Sequence, residues 1–126
     1  AMITATEQML PGMPACVEAA MLSKMSDRGQ IAGCIVDGPL ALDVALCKEA
    51  AEIKKLKSEV AGDADCLVFP NIESANVFYK VSGHFCPGVK MAAMVAGAKA
   101  PCVLSSRADS TEVKLNSIAL AALTAK

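Results

Sequence analysis

The segment Cys102-Val103-Leu104-Ser105-Ser106-Arg107-Ala108-Asp109-Ser110-Thr111-Glu112 passes from a short apolar run directly into the start of a helix. The apolar run predicts a buried strand. Asp109 is the predicted N-cap of the helix, and Glu112, three residues later, completes a capping box. The helical spacing beyond it predicts a buried stripe of Leu115, Ile118, Ala119 and Ala122. A strand that leads straight into a helix is the basic unit of an α/β fold.

The same alternation recurs throughout the preceding part of the chain. Strands are predicted at residues 2–6, 33–36, 65–70, 91–96 and 102–104, and helices at 15–25, about 40–51, 72–85 and from 109 onward. Short all-apolar strands between helices are typical of a mainly parallel sheet covered on both faces, so the predicted fold class is a three-layer α/β/α sandwich. Ligands bind such folds at the carboxyl ends of strands. These ends are Asp37-Gly38, Phe69-Pro70-Asn71, Gly97 and Ser105-Ser106.

Composition excludes several classes of function. The chain carries 12 Lys and Arg against 13 Asp and Glu, a net charge of -1, so no broad positive surface is predicted for nucleic acid or an anionic membrane. Aromatic residues make up only 3% of the chain, too few for the stacking platforms of single-stranded nucleic-acid binders. No apolar run approaches the roughly 18 to 20 residues that span a bilayer, and a signal peptide is not recognisable, which predicts a cytoplasmic protein.

The chain has 6 cysteines and a single histidine, His84. The cysteines form no Cys-x-x-Cys pair and none has zinc-site spacing to the histidine, so they are interpreted as reduced, buried thiols, and no metal site is predicted. His84 is interpreted as a capping or packing residue. The sequence contains no Gly-rich phosphate loop and no Gly-x-Ser-x-Gly element, which excludes the common nucleotide-binding and hydrolase classes.

Ser106 and Arg107 are the strongest candidates for a chemical site. They lie between a strand end and a helix start, where backbone N–H groups and the helix dipole favour an anion, and an arginine adds a bidentate grip. The residues alone leave a second interpretation equally open, in which the serines form a turn and Arg107 pairs with a surface acid. Ser110 is either a cap or a ligand-binding residue, and Glu112 is either the capping partner or a proton acceptor.

Five sequence blocks, taken in order, resemble the phosphate acetyl and butyryl transferase family, and more closely its butyryl branch. The blocks are Val36-Asp37-Gly38-Pro39-Leu40-Ala41-Leu42-Asp43, Val60-Ala61-Gly62-Asp63-Ala64-Asp65, Phe69-Pro70-Asn71-Ile72-Glu73-Ser74-Ala75-Asn76-Val77-Phe78-Tyr79-Lys80, Gly97-Ala98-Lys99-Ala100-Pro101 and Ser106-Arg107-Ala108-Asp109-Ser110-Thr111-Glu112-Val113-Lys114-Leu115-Asn116-Ser117-Ile118-Ala119. The resemblance covers nearly the whole chain but only the C-terminal part of the family's proteins.

This resemblance implies one domain of the two-domain isocitrate/isopropylmalate dehydrogenase-like fold. Residues 1–126 would be the C-terminal portion, with an α/β domain over about 1–105 and a terminal helix over about 106–126 that packs on the missing N-terminal half. It implies transfer of an acetyl- or butyryl-type group between coenzyme A and inorganic phosphate. The implied substrates are acyl-CoA, phosphate and acyl phosphate, with no metal, no bound organic cofactor and a homodimeric assembly.

Roles for individual residues also follow from the resemblance. Ser106 would orient the thiol of coenzyme A, Arg107 would hold the phosphate, and Glu112 would act as the base. The expected substrate-binding residues are Gly97, Lys99, Asp109 and Ser110. The pattern departs from the acetyl branch at position 113, where this chain has valine at or beside the position expected to hold a carboxylate.

Two alternatives to catalysis remain at this stage. Domains of this family also occur fused to the C-terminus of malic enzymes, where they resemble regulatory acyl-CoA sensors, so a non-catalytic binding module is the second hypothesis. A degraded gene product whose fold survives is the third. Because the resemblance implies that the arginines of the other half are absent, the chain alone is expected to have little or no turnover.

Overall fold

The computed structural model describes residues 1–125, and the chain divides into two compact units, Ala1–Val77 and Phe78–Lys126. Lys126, the last residue of the predicted terminal segment, lies outside the described residues. Helices alternate with extended segments, as predicted. The helices are α1 (Pro14–Asp27), α2 (Leu42–Leu46), α3 (Lys48–Ile53), α4 (Ile72–Phe85) and α5 (Thr111–Thr124). None of the helices in the described part is long and apolar enough to cross a membrane.

The first unit contains parallel pairing around the segment that begins at residue 1. On one side, Met2 N–H donates to Asp37 O at 2.8 Å and Leu40 N–H donates to Met2 O at 3.1 Å. On the other side, Ile3 N–H donates to Val68 O at 2.8 Å. The segment at residues 1–4 therefore lies between two neighbours, with parallel bridges to Val68 and Leu40.

The structure does not contain the continuous parallel sheet predicted from the sequence within residues 1–125. The pairing within residues 1–125 consists of isolated bridges, and the predicted strand at 33–36 does not pair. Pairing occurs instead four positions later, where the chain runs through Asp37 to Leu40. A physical reason is visible at both ends of the predicted strand, since Gly33 has a φ of +85° and Val36 N–H is already bonded to Ser26 Oγ at 3.1 Å.

A cluster of small and medium apolar side chains forms the core of the first unit. Its members are Ile3, Leu40, Val44, Ala45, Ala51, Val60 and Ala61. Val44 and Ala45 are both 0% exposed. Burying a side chain of valine or leucine size stabilises the fold by about 1.5 to 3 kcal/mol, so this cluster accounts for much of the unit's stability.

The single helix predicted over about 40–51 is wrong, because the structure divides it into α2 and α3 at Cys47. Cys47 adopts an extended conformation, with φ -127° and ψ 115°. The break frees carbonyl groups that are used elsewhere: Val44 O accepts from Gly62 N–H at 2.8 Å and Ala45 O accepts from Ala64 N–H at 3.3 Å. Long-range hydrogen bonds thus override the local helical spacing.

In the second unit, α5 packs on the segment that follows α4. The buried Ser117 hydroxyl accepts from Ala93 N–H at 3.0 Å and donates to Val113 O at 2.7 Å. The extended pair in this unit, Val95 with Cys102, is antiparallel. Residues 91–96 and 102–104 are therefore not strands of a parallel sheet, since the turn at 97–101 folds the chain back on itself.

The predicted buried stripe of α5 is also wrong. Leu115 and Ile118 are 63% and 59% exposed, and Ala119 and Ala122 are exposed as well. The buried positions are Ser117 and Ala121, one turn apart. The small side chain of Ser117 allows the backbone of Ala93 to approach α5 and to donate a hydrogen bond to it. The face of α5 that carries Ser117 is therefore the packed one, and the face that carries Leu115 and Ile118 stays exposed.

The other helices agree better with the sequence. Helix α4 has the predicted bounds, α1 runs slightly beyond the predicted 15–25, and Arg28 is the C-cap residue of α1. The cysteines are all free, but only Cys16 is buried, so the prediction of six buried thiols is wrong for the other five. Cys66 and Cys102 illustrate why, because each lies in an extended segment whose outer face the described residues leave uncovered.

Candidate functional site

The loop at residues 106–109 is a tight turn closed by reciprocal hydrogen bonds. Ser106 N–H donates to Asp109 Oδ2 at 2.8 Å, and Asp109 N–H donates to Ser106 O at 3.2 Å. Inside the turn, Ala108 N–H donates to Ser106 Oγ at 3.3 Å. The turn is therefore fixed at both ends and carries Arg107 at its outer corner.

Arg107 is exposed and forms no hydrogen bond or ion pair with any of residues 1–125. The interpretation in which it pairs with a surface acid is therefore not what the structure shows. The nearest carboxylate in sequence, Asp109, is bonded to the backbone instead. All five N–H donors of the guanidinium remain open to a ligand, and their planar fork matches phosphate.

The helix cap differs by one residue from the sequence prediction. Ser110, not Asp109, is the N-cap of α5, and its Oγ accepts from Val113 N–H at 3.2 Å. Asp109 is excluded from that role because its carboxylate is bonded to Ser106 N–H. A serine cap still supplies one of the acceptors that the first turn of a helix needs.

Glu112 does not form the predicted capping box. Its carboxylate is paired with Lys90 Nζ at 3.3 Å, and its side chain is 62% exposed. An exposed pair of this kind contributes little to stability and exchanges readily with water or another partner. Glu112 thus remains an accessible carboxylate one turn from the 106–109 loop.

A cavity of about 260 Å³ opens beside this loop. It is lined by Asp109 and Ser110, by Tyr79, Lys80 and His84 from α4, and by Gly83, Met91, Ala108 and Val113. Sequence reasoning placed none of the three α4 side chains at the site, and it gave His84 only a capping or packing role. Their spacing contained the signal, because residues 80 and 84 are one helical turn apart and share a face.

The surroundings of Tyr79 in this cavity change the pKa of its phenol. Burial raises the pKa of the Tyr79 phenol above its ordinary 10.0, and the Asp109 carboxylate adds to the increase by repelling the phenolate. Lys80 Nζ lies 5.4 Å from the centre of the Tyr79 ring. At neutral pH the cavity therefore presents a protonated phenol, which donates hydrogen bonds, beside the Lys80 side chain.

Two other predicted site residues lie in a different place. Gly97 and Lys99 line a separate cavity of about 290 Å³, together with Thr124 and the neighbouring residues of the 94–101 turn. Gly97 has a φ of +82°, which suits glycine at this turn. Neither residue shares a hydrogen bond or ion pair with the 106–109 loop among the described residues.

The strand-end residues of the first unit are engaged locally. Asp37 Oδ1 accepts from Gly38 N–H at 2.8 Å and from Ser23 Oγ at 3.2 Å. Asn71 Oδ1 accepts from Ser74 N–H at 2.9 Å at the start of α4. Both therefore act as turn and capping residues. Across residues 1–125, no group of three His, Cys, Asp or Glu side chains is arranged to hold a metal.

Comparison with known proteins gives a consistent family assignment. The family described as phosphate acetyl/butaryl transferase matches residues 1–122. The chain is 58% identical over 123 residues to the phosphate butyryltransferase of Clostridium acetobutylicum, which covers 98% of this chain and 40% of that protein. It is 53% identical to the phosphate acetyltransferase of Thermotoga maritima, covering 98% of this chain and 42% of the relative.

A solved structure agrees with the sequence relatives. The crystal structure of a branched-chain phosphotransacylase from Enterococcus faecalis V583 matches with a TM-score of 0.83 at 36% identity, over 96% of this chain and 43% of that one. The chain spans about 40% of the length of the curated relatives it matches. On the family match over residues 1–122, this chain belongs to the phosphate acetyl/butaryl transferase family.

Proposed function

We propose that this chain is part of an acyltransferase that moves an acetyl- or butyryl-type group between coenzyme A and inorganic phosphate. The observation that carries the proposal is Arg107, exposed and unpaired within residues 1–125 on a turn that Asp109 closes. Coenzyme A is a substrate of this reaction, not a bound cofactor. Arg107 binds the phosphate group because a guanidinium matches its geometry in two hydrogen bonds.

The reaction with acyl phosphate as donor needs a base, an anion clamp and a group that directs the thiol. Glu112 takes the proton from the thiol, the sulfur attacks the carbonyl carbon, and the carbon–oxygen bond to phosphate breaks. The bonding electron pair leaves with the phosphate, which Arg107 holds. The products are acyl-CoA and inorganic phosphate, and the reverse reaction follows the same steps.

Ser106 suits the role of directing the thiol. Its Oγ already accepts from Ala108 N–H, so its hydroxyl proton is available to donate to sulfur. To accept the proton of the thiol, Glu112 must first release its ion pair with Lys90, and this is possible because the Glu112 side chain is 62% exposed. Its position in the first turn of α5 keeps it near the loop that carries Arg107.

Of the remaining predicted substrate-binding residues, Ser110, Gly97 and Lys99 contact the substrate directly, and Asp109 acts through the turn that it closes. Asp109 and Ser110 form the wall of the cavity beside the loop. Lys99 is exposed and has no ion-pair partner within residues 1–125, so it supplies a cation for the phosphates of coenzyme A, with Gly97 permitting close approach. No metal takes part in this scheme.

The proposal extends to architecture. Residues of about 1–105 form an α/β domain of the isocitrate/isopropylmalate dehydrogenase-like kind, and the terminal segment of about 106–126, which contains α5, packs on the rest of a longer, homodimeric, cytoplasmic protein. Support comes from Leu115 and Ile118 of α5, whose apolar side chains are more than half exposed. An apolar helix face of this kind is normally covered.

The experiment is a fusion in which this chain replaces the matched region of the Clostridium acetobutylicum phosphate butyryltransferase. We expect release of phosphate from butyryl phosphate that depends on coenzyme A, within about tenfold of the parent rate (about 1.4 kcal/mol in barrier). The 126-residue chain alone should show little or no turnover. A fusion that folds and binds acyl-CoA but releases no phosphate would favour the sensor module, and robust turnover by the chain alone would contradict the half-site account.

A further inference from the structure

The Asp109 carboxylate accepts a backbone hydrogen bond within the loop that carries the proposed catalytic residues Ser106 and Arg107. Its Oδ2 accepts from Ser106 N–H at 2.8 Å, while its own N–H donates to Ser106 O at 3.2 Å. A hydrogen bond from a backbone N–H to a carboxylate is stronger than one between neutral groups. These two bonds define the shape of the 106–109 turn.

We infer that Asp109 is a positioning residue for acyl transfer, which holds the turn so that Ser106 and Arg107 face the substrate. The inference rests on the proposed function. In this role Asp109 stabilises the shape of the turn, and it affects the substrate only through the positions of Ser106 and Arg107. Holding reacting groups in place is a large part of catalysis, and small displacements are costly.

The alternative to positioning is that Asp109 contacts the substrate by its charge. Both phosphate and acyl phosphate are anions, and a free carboxylate beside Arg107 would repel them. A carboxylate two residues from an arginine is also a ready partner for it. In the structure the backbone occupies Oδ2, and Arg107 stays unpaired among residues 1–125.

The other side of Asp109 faces the cavity formed with α4. Tyr79, Lys80 and His84 are the other titratable side chains that line this cavity. Asp109 repels the phenolate of Tyr79, which raises the pKa of that phenol. Because the chain has 1 Tyr and 0 Trp, the ultraviolet titration of the chain reports on Tyr79 alone, and the effect of Asp109 is the change in that titration when Asp109 is replaced.

The test compares Asp109→Asn with Asp109→Ala in the active fusion. Asparagine keeps an oxygen that accepts from Ser106 N–H, whereas alanine removes it. We expect kcat to fall about 30- to 100-fold in Asp109→Ala, the loss expected from a misplacement of about 1 Å, and to stay within about threefold in Asp109→Asn. Asp65→Ala, which removes an exposed carboxylate from the first unit, is the matched control and should leave kcat unchanged.

A second measurement uses the 126-residue chain itself. Amide exchange followed by nuclear magnetic resonance should show Ser106 N–H protected in the parent and in Asp109→Asn, and exchanging at least about tenfold faster in Asp109→Ala. The alanine variant should otherwise keep the exchange pattern of α5. This readout needs no substrate and therefore stands apart from the activity.

Each outcome decides the matter. Equal losses of kcat in the two variants would assign Asp109 a charge role and overturn positioning, as would unchanged exchange of Ser106 N–H in Asp109→Ala. Full activity in Asp109→Ala would overturn it too. Arg107→Ala in the same fusion separates the two proposals, because retained activity there contradicts the proposed function whatever Asp109 does.

Discussion

The two units of this chain use their apolar residues in opposite ways. The first, Ala1–Val77, collects Ile3, Leu40, Val44 and four further apolar residues in a buried cluster. In the second, Phe78–Lys126, the buried residues among those described are Ser117 and Ala121, while Leu115 and Ile118 stay exposed. The proposed site lies in the second unit. Apolar packing thus constrains the first unit, whereas hydrogen bonds such as those of Ser117 and of the 106–109 turn constrain the second.

The largest effect should come from adding one methyl group to the packed unit. Gly62 has a φ of +79°, and a Cβ there would lie 2.6 Å from both Cα and N of Lys48. Backbone cannot yield as a side chain can, so Gly62→Ala should lower the free energy of unfolding by about 3 kcal/mol or more. Chemical denaturation of the 126-residue chain measures it.

The matched control for that change lies in the second unit. Gly97 has a φ of +82° but nothing within 4 Å of an added Cβ. Gly97→Ala should therefore cost only the backbone strain, about 1 to 2 kcal/mol. Equal losses at the two glycines would contradict the contrast in packing between the units.

The second prediction concerns the polar contact that holds α5. Ser117→Ala removes the acceptor of Ala93 N–H in a buried position and should cost about 1 to 3 kcal/mol, because that donor is left unsatisfied. Ser82→Ala is the control in the same unit. Its hydroxyl only donates to Phe78 O within α4, so its loss should stay within about 0.5 kcal/mol. Thermal unfolding of the three proteins decides between them.

The third prediction concerns Tyr79. Absorbance near 295 nm should give a phenol that titrates above 10.0, and Asp109→Asn should bring the midpoint part of the way back, since burial is the larger cause. Because the folded-state pKa is raised, protonation of Tyr79 stabilises the fold below pH 10.0, and this contribution is lost as pH rises through the folded value. An unchanged midpoint in the variant would show that Asp109 does not face the ring.

The smallest effect is expected at the surface of the first unit. Lys54 Nζ lies 2.8 Å from Glu7 Oε1 and 3.1 Å from Asp43 Oδ2. Its hydrogen bond lowers the pKa of Asp43 below 3.8, so this stabilisation is present above pH 3.8 and is lost as pH falls through the lowered value. Lys54→Met should reduce the melting temperature slightly and reduce its dependence on salt.

The control for that pair is Lys24, which contacts Asp27 within α1 with both side chains more than half exposed. Lys24→Met should leave the melting temperature unchanged. A larger effect at Lys24 than at Lys54 would show that the network between separate segments adds nothing.

The sequence predicted what local spacing determines. Helix α4 agreed at both ends, because its apolar positions repeat with helical period and Asn71 caps its start. The break at Cys47 could not be predicted, since it depends on hydrogen bonds from Gly62 and Ala64 to α2. For α5, hydrophobicity indicated a face that residues 1–125 leave exposed, because Ser117 is buried on another face through two hydrogen bonds.

The candidate site shows the same division. The change of pattern over residues 105–112 predicted a turn followed by a helix start, as the structure has it, and the family resemblance was confirmed by the match over residues 1–122. The exchange of roles between Asp109 and Ser110 was not predictable, because either residue type caps a helix equally well. The α4 wall of the cavity was missed, since only folding brings Tyr79 and Lys80 to the loop.

The central claim is that Arg107 is the anion-binding group of a phosphate acyltransferase. The most direct measurement is kcat/KM for butyryl phosphate in the fusion, comparing Arg107→Ala with Arg28→Ala, the change at the chain's other arginine, which caps α1. We expect a loss of about 100-fold or more for Arg107→Ala, about 2.7 kcal/mol, and less than about threefold for Arg28→Ala. Equal activity of the two variants would contradict the account.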